Sequence, residues 1–198
     1  MFDLAKVQAQ MQATGIDAWL VYDFRGSNPV FWQLLGERRK TTRRVFLVIP
    51  DRGAPKLLGS AVEPEVLAGF DLELAHYASW AQLERMLRER VGSLARVAME
   101  YSPGGALPIM SWVDGGTLDL VRGLGPEVVS SADVAQVALA VWSAAALESH
   151  RDACRHVAEV KDLAFDHIRY GLANHTVISE YTLQQFISAE FARRGLDE

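Results

Sequence analysis

The sequence predicts an α/β protein: a mixed β-sheet with helices packed on it, followed by long helices that start a second unit. Three observations carry this. Short apolar, β-branched segments alternate with stretches of helical periodicity, the pattern of helices layered on a sheet. The turn Asp51 to Pro55 (DRGAP) joins two apolar runs as a hairpin, so the sheet is not all parallel. After about Asp133 the strand signal stops and only helical spacing remains.

In chain order, Leu4, Val7 and Met11 recur at helical spacing from Phe2 to Thr14, and Gly15 supplies a C-terminal cap. Ala18 to Asp23 (AWLVYD) reads as a strand, FRGSNP as a loop, and VFWQLLG as a short helix closed by Gly36. Val45 to Pro50 (VFLVIP) is a strand apolar on both sides, which requires cover on both faces. KLLGS returns from the hairpin, and ELAHYA adds another short strand. Ser79 caps a helix running to about Val91, with Trp80, Leu83, Met86 and Leu87 on one face. Ala95 to Tyr101 is strand-like and is broken by SPGG. Asp114 to Gly123 is helical, and PEVVSSAD gives a last strand and a turn.

Beyond this, Leu147 to Ala173 places Ala153, Val157, Val160, Ala164 and Ile168 along one face of a long helix. A further helix from about Ser179 to Arg194 carries Phe186, Ile187 and Phe191, with Gly195 as its cap. The predicted units are residues 1–132 and 133–198. Two amphipathic helices cannot bury their faces alone, so the isolated chain is expected to self-associate.

Composition narrows the function classes. The 198 residues are 49% apolar and 23% charged, with net charge −5, a globular balance that excludes disorder and gives no basis for nucleic-acid binding. One cysteine, Cys154, excludes an internal disulfide, and no apolar run approaches a membrane span. The expected location is the cytoplasm, with no membrane partner. Cys154 is expected to be a small, partly buried hydrophobe.

Several residues invite functional readings. His150, His156, His167 and His175 gather on or beside the long helix with Asp152, Asp162 and Asp166, but none of the pairs has the spacing that sets two imidazoles on one ion. Arg38, Arg39, Lys40, Arg43 and Arg44 form a basic run. It is either a solvated loop or an interface or substrate rim in which an arginine clamps a carboxylate. Arg25, Asn28 and Trp32 follow the first strand, where binding groups are commonly placed; Asn28 before Pro29 is equally good turn chemistry, and Trp32 equally a core residue. Arg25, Asn28, Trp32, Arg38 and Arg39 are therefore the candidate rim residues.

Wording and order together resemble one family. The pieces that carry it are Met99-Glu100-Tyr101-Ser102-Pro103, Val113-Asp114-Gly115-Gly116-Thr117 and Val141-Trp142-Ser143, set in the order helix, GIDAWLVYD, LLG, basic stretch, VFLVIPDRGAPKLL hairpin. The chain is similar to the creatinase/prolidase/Xaa-Pro aminopeptidase metallopeptidases: their creatinase-like N-terminal domain, then the opening helices of an incomplete α+β pita-bread domain. Val141-Trp142-Ser143, where many members have an Arg…Lys segment, points to the aminopeptidase-like side. The resemblance implies a metal-dependent hydrolase of peptides with proline second, acting as a homodimer. Two divalent metal ions, often manganese, would be held by two aspartates, a histidine and two glutamates. None of those ligands has a counterpart in these 198 residues, so the chain alone is expected to lack a hydrolytic centre. Two other readings stand beside this one: a non-catalytic domain that dimerises or binds a peptide, and a creatinase-like hydrolase of a small guanidino compound.

Overall fold

The computed structural model describes residues 2–196. The chain divides into two units, one ending at Val141 and the other beginning at Trp142.

The first unit opens with α1 (Leu4–Thr14), capped by the Asp3 side chain at its start and by left-handed Gly15 at its end. Strand β1 (Ala18–Phe24) follows, then α2 (Pro29–Leu35), whose N-cap is Asn28. Strands β2 (Arg44–Pro50) and β3 (Lys56–Ser60) form the hairpin expected from DRGAP. After a 3₁₀ turn at Pro64–Leu67 come β4 (Glu73–Tyr77), α3 (Trp80–Val91), β5 (Arg96–Met99), α4 (Gly115–Leu124), β6 (Glu127–Ser130) and α5 (Ala132–Leu139). The six strands lie in the order β4-β3-β2-β1-β5-β6. β2 pairs antiparallel with both its neighbours and the remaining pairings are parallel. Five carboxyl ends therefore share one end of the sheet with the start of β2.

Both faces of the sheet are covered, as the unbroken apolar wording of β2 requires. Trp19 and Val21 of β1, with Val45, Leu47 and Ile49 of β2, pack against Val7 and Met11 of α1, Phe31 and Leu34 of α2, and Val134 of α5. Alternate residues Leu20, Tyr22, Phe46 and Val48 face Leu83 and Leu87 of α3 and Leu118 and Val121 of α4. This is the period-two alternation of a strand between two layers.

Three local expectations need correction. α5 is a full two-turn helix where the sequence suggested only a turn; Val134 and Ala135 bury its inner side. Trp80 does not share the buried face of Leu83 and Leu87. It is 52% exposed, because the first residue of α3 lies at the rim of the sheet rather than over it. Cys154 is exposed rather than partly buried.

The second unit is a helical hairpin. α6 (Ala144–Ala173) has 30 residues, about 45 Å of helix, and is capped by Ser143. α7 (Glu180–Arg193) begins with a reciprocal Ser179–Thr182 capping box. The two run antiparallel: His167 stacks on Phe186 at 4.4 Å, and Arg194 reaches back to Glu159 at 3.6 Å. Gly171, in the last turn of α6, lies directly against the Ile178 side chain, which would have to shift to admit a Cβ there. α7 reaches no further back along α6 than Val157 and Glu159, which leaves Cys154 in water. On the groove side Val160 and Ala164 are buried, whereas Val157 and Phe165 remain more than half exposed beside a groove of about 310 Å³. None of the helices among the described residues is long and apolar enough to cross a membrane.

Candidate functional site

The carboxyl ends of β1 and β5 meet around a buried carboxylate. Glu100, directly after β5, is fully buried. Trp19 Nε1 donates to Oε1 at 2.6 Å, Ser131 Oγ to the same oxygen at 3.0 Å, and Asn28 Nδ2 to Oε2 at 2.7 Å. Burial pushes the Glu100 carboxyl up to about 7, and the three donors oppose that rise without cancelling it. Its backbone carbonyl accepts from the N–H groups of Trp112 and Val113 at 2.9 and 3.1 Å. One residue thus ties β1, β5, the start of α2, the start of α5 and the 112–113 segment together.

Asn28 is the second knot. Its Nδ2 also donates to the Tyr22 carbonyl at 2.7 Å, and its Oδ1 accepts from Val30 N at 3.0 Å as the α2 cap. Its own N–H donates to buried Asp23 at 2.7 Å, and Gly26 N donates to the other Asp23 oxygen at 2.9 Å. The loop after β1 is therefore held from beneath at each end.

Above this network lies a cleft of about 620 Å³, lined by Gly26, Pro29, Trp32, Gln33, Arg38 and Trp112, among others. Arg38 Nη2 donates to the Gly26 carbonyl at 2.9 Å. Gly26 has φ +73°, and an added Cβ would stand 3.3 Å from that same nitrogen, so a glycine is needed on both counts. Among the described residues Arg38 has no carboxylate partner within ion-pair range, and Glu37 lines the cleft beside it.

The candidate rim residues separate accordingly. Arg38 lines the cleft; Trp32 borders it from the hydrophobic core and is only 3% exposed. Asn28 is fully buried beneath it. Arg25 is exposed and adopts a left-handed φ of 62°, a conformation costly to a side-chain-bearing residue and characteristic of functional loops. Arg39 turns elsewhere: it pairs with Glu37 at 2.9 Å, donates to the Val66 and Ala68 carbonyls, and lies 4.3 Å over the Phe70 ring. Those contacts fasten the 64–70 segment. Glu100 and Asp23 were not singled out from sequence. The available signal was an ionisable residue at the end of an apolar run in each of ARVAMEY and AWLVYD, since a carboxylate there must either reach water or be paired.

Among the described residues no group of three or more His, Cys, Asp or Glu side chains is placed to hold a metal ion. The donor set of a two-metal hydrolase does not fit these described residues.

Comparison with solved structures places the architecture. The fold is that of the N-terminal domains of prolidases and Xaa-Pro dipeptidases. A prolidase from Thermococcus sibiricus superposes with a TM-score of 0.58 at 14% identity, over 96% of this chain and 49% of its own. The dipeptidase PepE from Mycobacterium ulcerans gives 0.56 at 19% identity, over 94% of this chain and 48% of its own. The N-terminal domain of an Xaa-Pro dipeptidase from Lactobacillus brevis gives 0.50 at 15% identity, over 67% of this chain and 97% of its own. The chain thus spans about half the length of the two longer structures. No family model and no curated protein matches the sequence.

Proposed function

We propose that this chain is the N-terminal part of a metal-dependent hydrolase of peptides with proline in the second position, of the Xaa-Pro aminopeptidase or dipeptidase kind. The α/β unit, residues 1–132 in the sequence division, shapes the substrate entrance and carries homodimer contacts. Residues 133–198 open the pita-bread catalytic domain. The observation that carries the reading is a shared fold along 94–96% of this chain with a prolidase and a dipeptidase roughly twice its length.

The cleft supports the role. Arg38 is anchored through one N–H to Gly26, which leaves other donors of its planar fork for a carboxylate. Trp32 and Trp112 supply the apolar wall a proline ring would meet. The two divalent ions, manganese in the leading version, are assigned to donors outside these 198 residues. They would supply an activated water and polarise the scissile carbonyl.

The test uses the product of the whole reading frame, loaded with Mn²⁺ and offered Ala-Pro, Ala-Pro-Ala, Ala-Ala and creatine. Cleavage before proline is expected. Arg38→Gln should raise KM about tenfold with kcat largely kept, as loss of uniform substrate binding does. Turnover of creatine alone would favour the guanidino hydrolase. No turnover of any substrate would favour a domain that dimerises or binds peptides without catalysis.

A further inference from the structure

A second depression lies at the same end of the sheet, served by the opposite core layer. β1 ends there at Phe24, β3 at Ser60 and β4 at Tyr77, while β2 begins at Arg44 and α3 at Trp80. These residues, with Val62, line a pocket of about 410 Å³, a volume suited to a small ligand. Carboxyl ends of strands in an α/β sheet are where such ligands bind.

The pocket is organised around Arg44. Its guanidinium carbon lies 5.6 Å from the Phe24 ring centre and 5.2 Å from that of Trp80. Tyr77 Oη donates to the Arg44 carbonyl at 2.9 Å and fixes the backbone beneath. Yet Arg44 Nε is buried without a hydrogen-bond partner, and among the described residues no carboxylate comes within ion-pair range of this side chain. A buried donor without an acceptor is uncommon and calls for an explanation. Around it Trp80 is 52% exposed and Val62 65%.

A plain structural reading makes Arg44 a stem that covers aromatic surface. That accounts for the stacking and the covered Nε, but leaves the terminal nitrogens without an acceptor among the described residues and Trp80 bare. An oriented guanidinium between two rings is instead what a planar anion with an apolar body requires. Two carboxylates in the neighbourhood are already engaged. Glu63 accepts from Thr41 and Thr42, and Asp114 from the Thr117 amide and hydroxyl. Arg43 also lines the pocket, so two guanidinium groups stand against these two carboxylates, a near balance that accommodates one added negative charge better than two.

We propose that this pocket binds a monoanionic carboxylate attached to an apolar group. The carboxylate sits on Arg44 and the apolar part against Trp80, Phe24 and Val62. The source is either a free small acid or the C-terminal carboxylate of a peptide. The site is independent of the peptidase reading, and its test needs no catalysis.

The experiment titrates the purified chain with 3-phenylpropionate, N-acetyl-Ala-Phe, its C-terminal amide and inorganic phosphate, following the indole N–H signals by NMR. Saturable shifts of the Trp80 signal are expected for the two carboxylates, with dissociation constants near ~1 mM for ligands of this size. The amide should not bind. Arg44→Gln should weaken binding about tenfold or more. Trp80→Ala alters an exposed residue and keeps the fold intact; followed through the backbone amide signals of Ala78 and Ser79, which also line the pocket, it should weaken binding several-fold. Tighter binding of the free acid assigns a small metabolite, and tighter binding of the peptide assigns a protein C-terminus; either ordering supports the site. Absence of saturable shifts, affinities indifferent to both substitutions, or equal competition by phosphate would overturn it.

Discussion

Glu100→Gln tests the buried network most directly. In an unfolded chain this carboxyl has its ordinary value of 4.5, whereas burial in the fold raises it to about 7. A raised folded-state value means the native state holds its proton more tightly than the unfolded state. The associated stability is therefore fully present below about pH 4.5 and is lost as pH rises through about 7. The full loss corresponds to about 3 kcal/mol, a large share of the ~5–15 kcal/mol that holds a domain together. Glutamine has nearly the same shape and no proton to lose, so the variant should show none of this decline. It carries its own cost. Three donors converge on the two oxygens, and Asn28 cannot turn its amide round without releasing Tyr22 O and the Val30 cap. One amide donor of the new Gln must then oppose another donor, an offset of about 1–3 kcal/mol at every pH. Urea denaturation at pH 5, 6, 7 and 8, followed by tryptophan fluorescence, separates the two effects, since the offset is constant and the slope is not. The five histidines contribute the same background to both proteins. A wild-type midpoint that stays level from pH 5 to 8, or a variant that keeps the wild-type slope, would refute the reasoning.

Other outcomes follow from the same contacts. Asn28→Ala removes the α2 cap and a donor to Glu100, and should cost about 2–4 kcal/mol by denaturant titration. Leu47→Ala, in the middle of β2 and wholly buried, should cost about 2–5 kcal/mol by the same measurement. Gly26→Ala forces a side chain into a left-handed position against Arg38; a loss of about 1 kcal/mol and a shift in the Arg38 side-chain NMR signals should accompany each other. The chain should self-associate in sedimentation velocity through the exposed groove side of α6, and Phe165→Glu, at a position 54% exposed, should shift it toward monomer without lowering its melting temperature.

The fold was legible where sequence pattern and burial coincide. VFLVIP is apolar throughout because both faces of β2 are covered, and DRGAP carries its own turn chemistry, so the hairpin could be read directly. α5 was hidden because eight residues rich in Ala and Val show little contrast between faces. Trp80 and Cys154 were misjudged for one reason: helical spacing gives the side a residue points to, but not whether a neighbouring element extends that far. The candidate site was readable only in part. Loop position put Trp32 and Arg38 forward, and both border the cleft. Glu100 is a single acidic letter at the end of a strand, and its partners Trp19, Asn28 and Ser131 are 81, 72 and 31 residues away in sequence, a convergence only the folded chain creates.

The lone reversed strand has a further consequence. Because β2 alone runs against the others, its hairpin at Asp51–Pro55 lies at the opposite end of the sheet from the cleft and the Arg44 pocket. Gln8 and Gln12 of α1 tie that hairpin down through the Pro50, Gly53 and Asp51 carbonyls. The span of β1, about 23 Å for its seven residues, separates the two ends. One end is a clasp that closes the chain on itself, and the other gathers the loops that line the cleft and the Arg44 pocket. Changes at the clasp will register in folding alone, while changes at the other end will register both in folding and in what the protein holds.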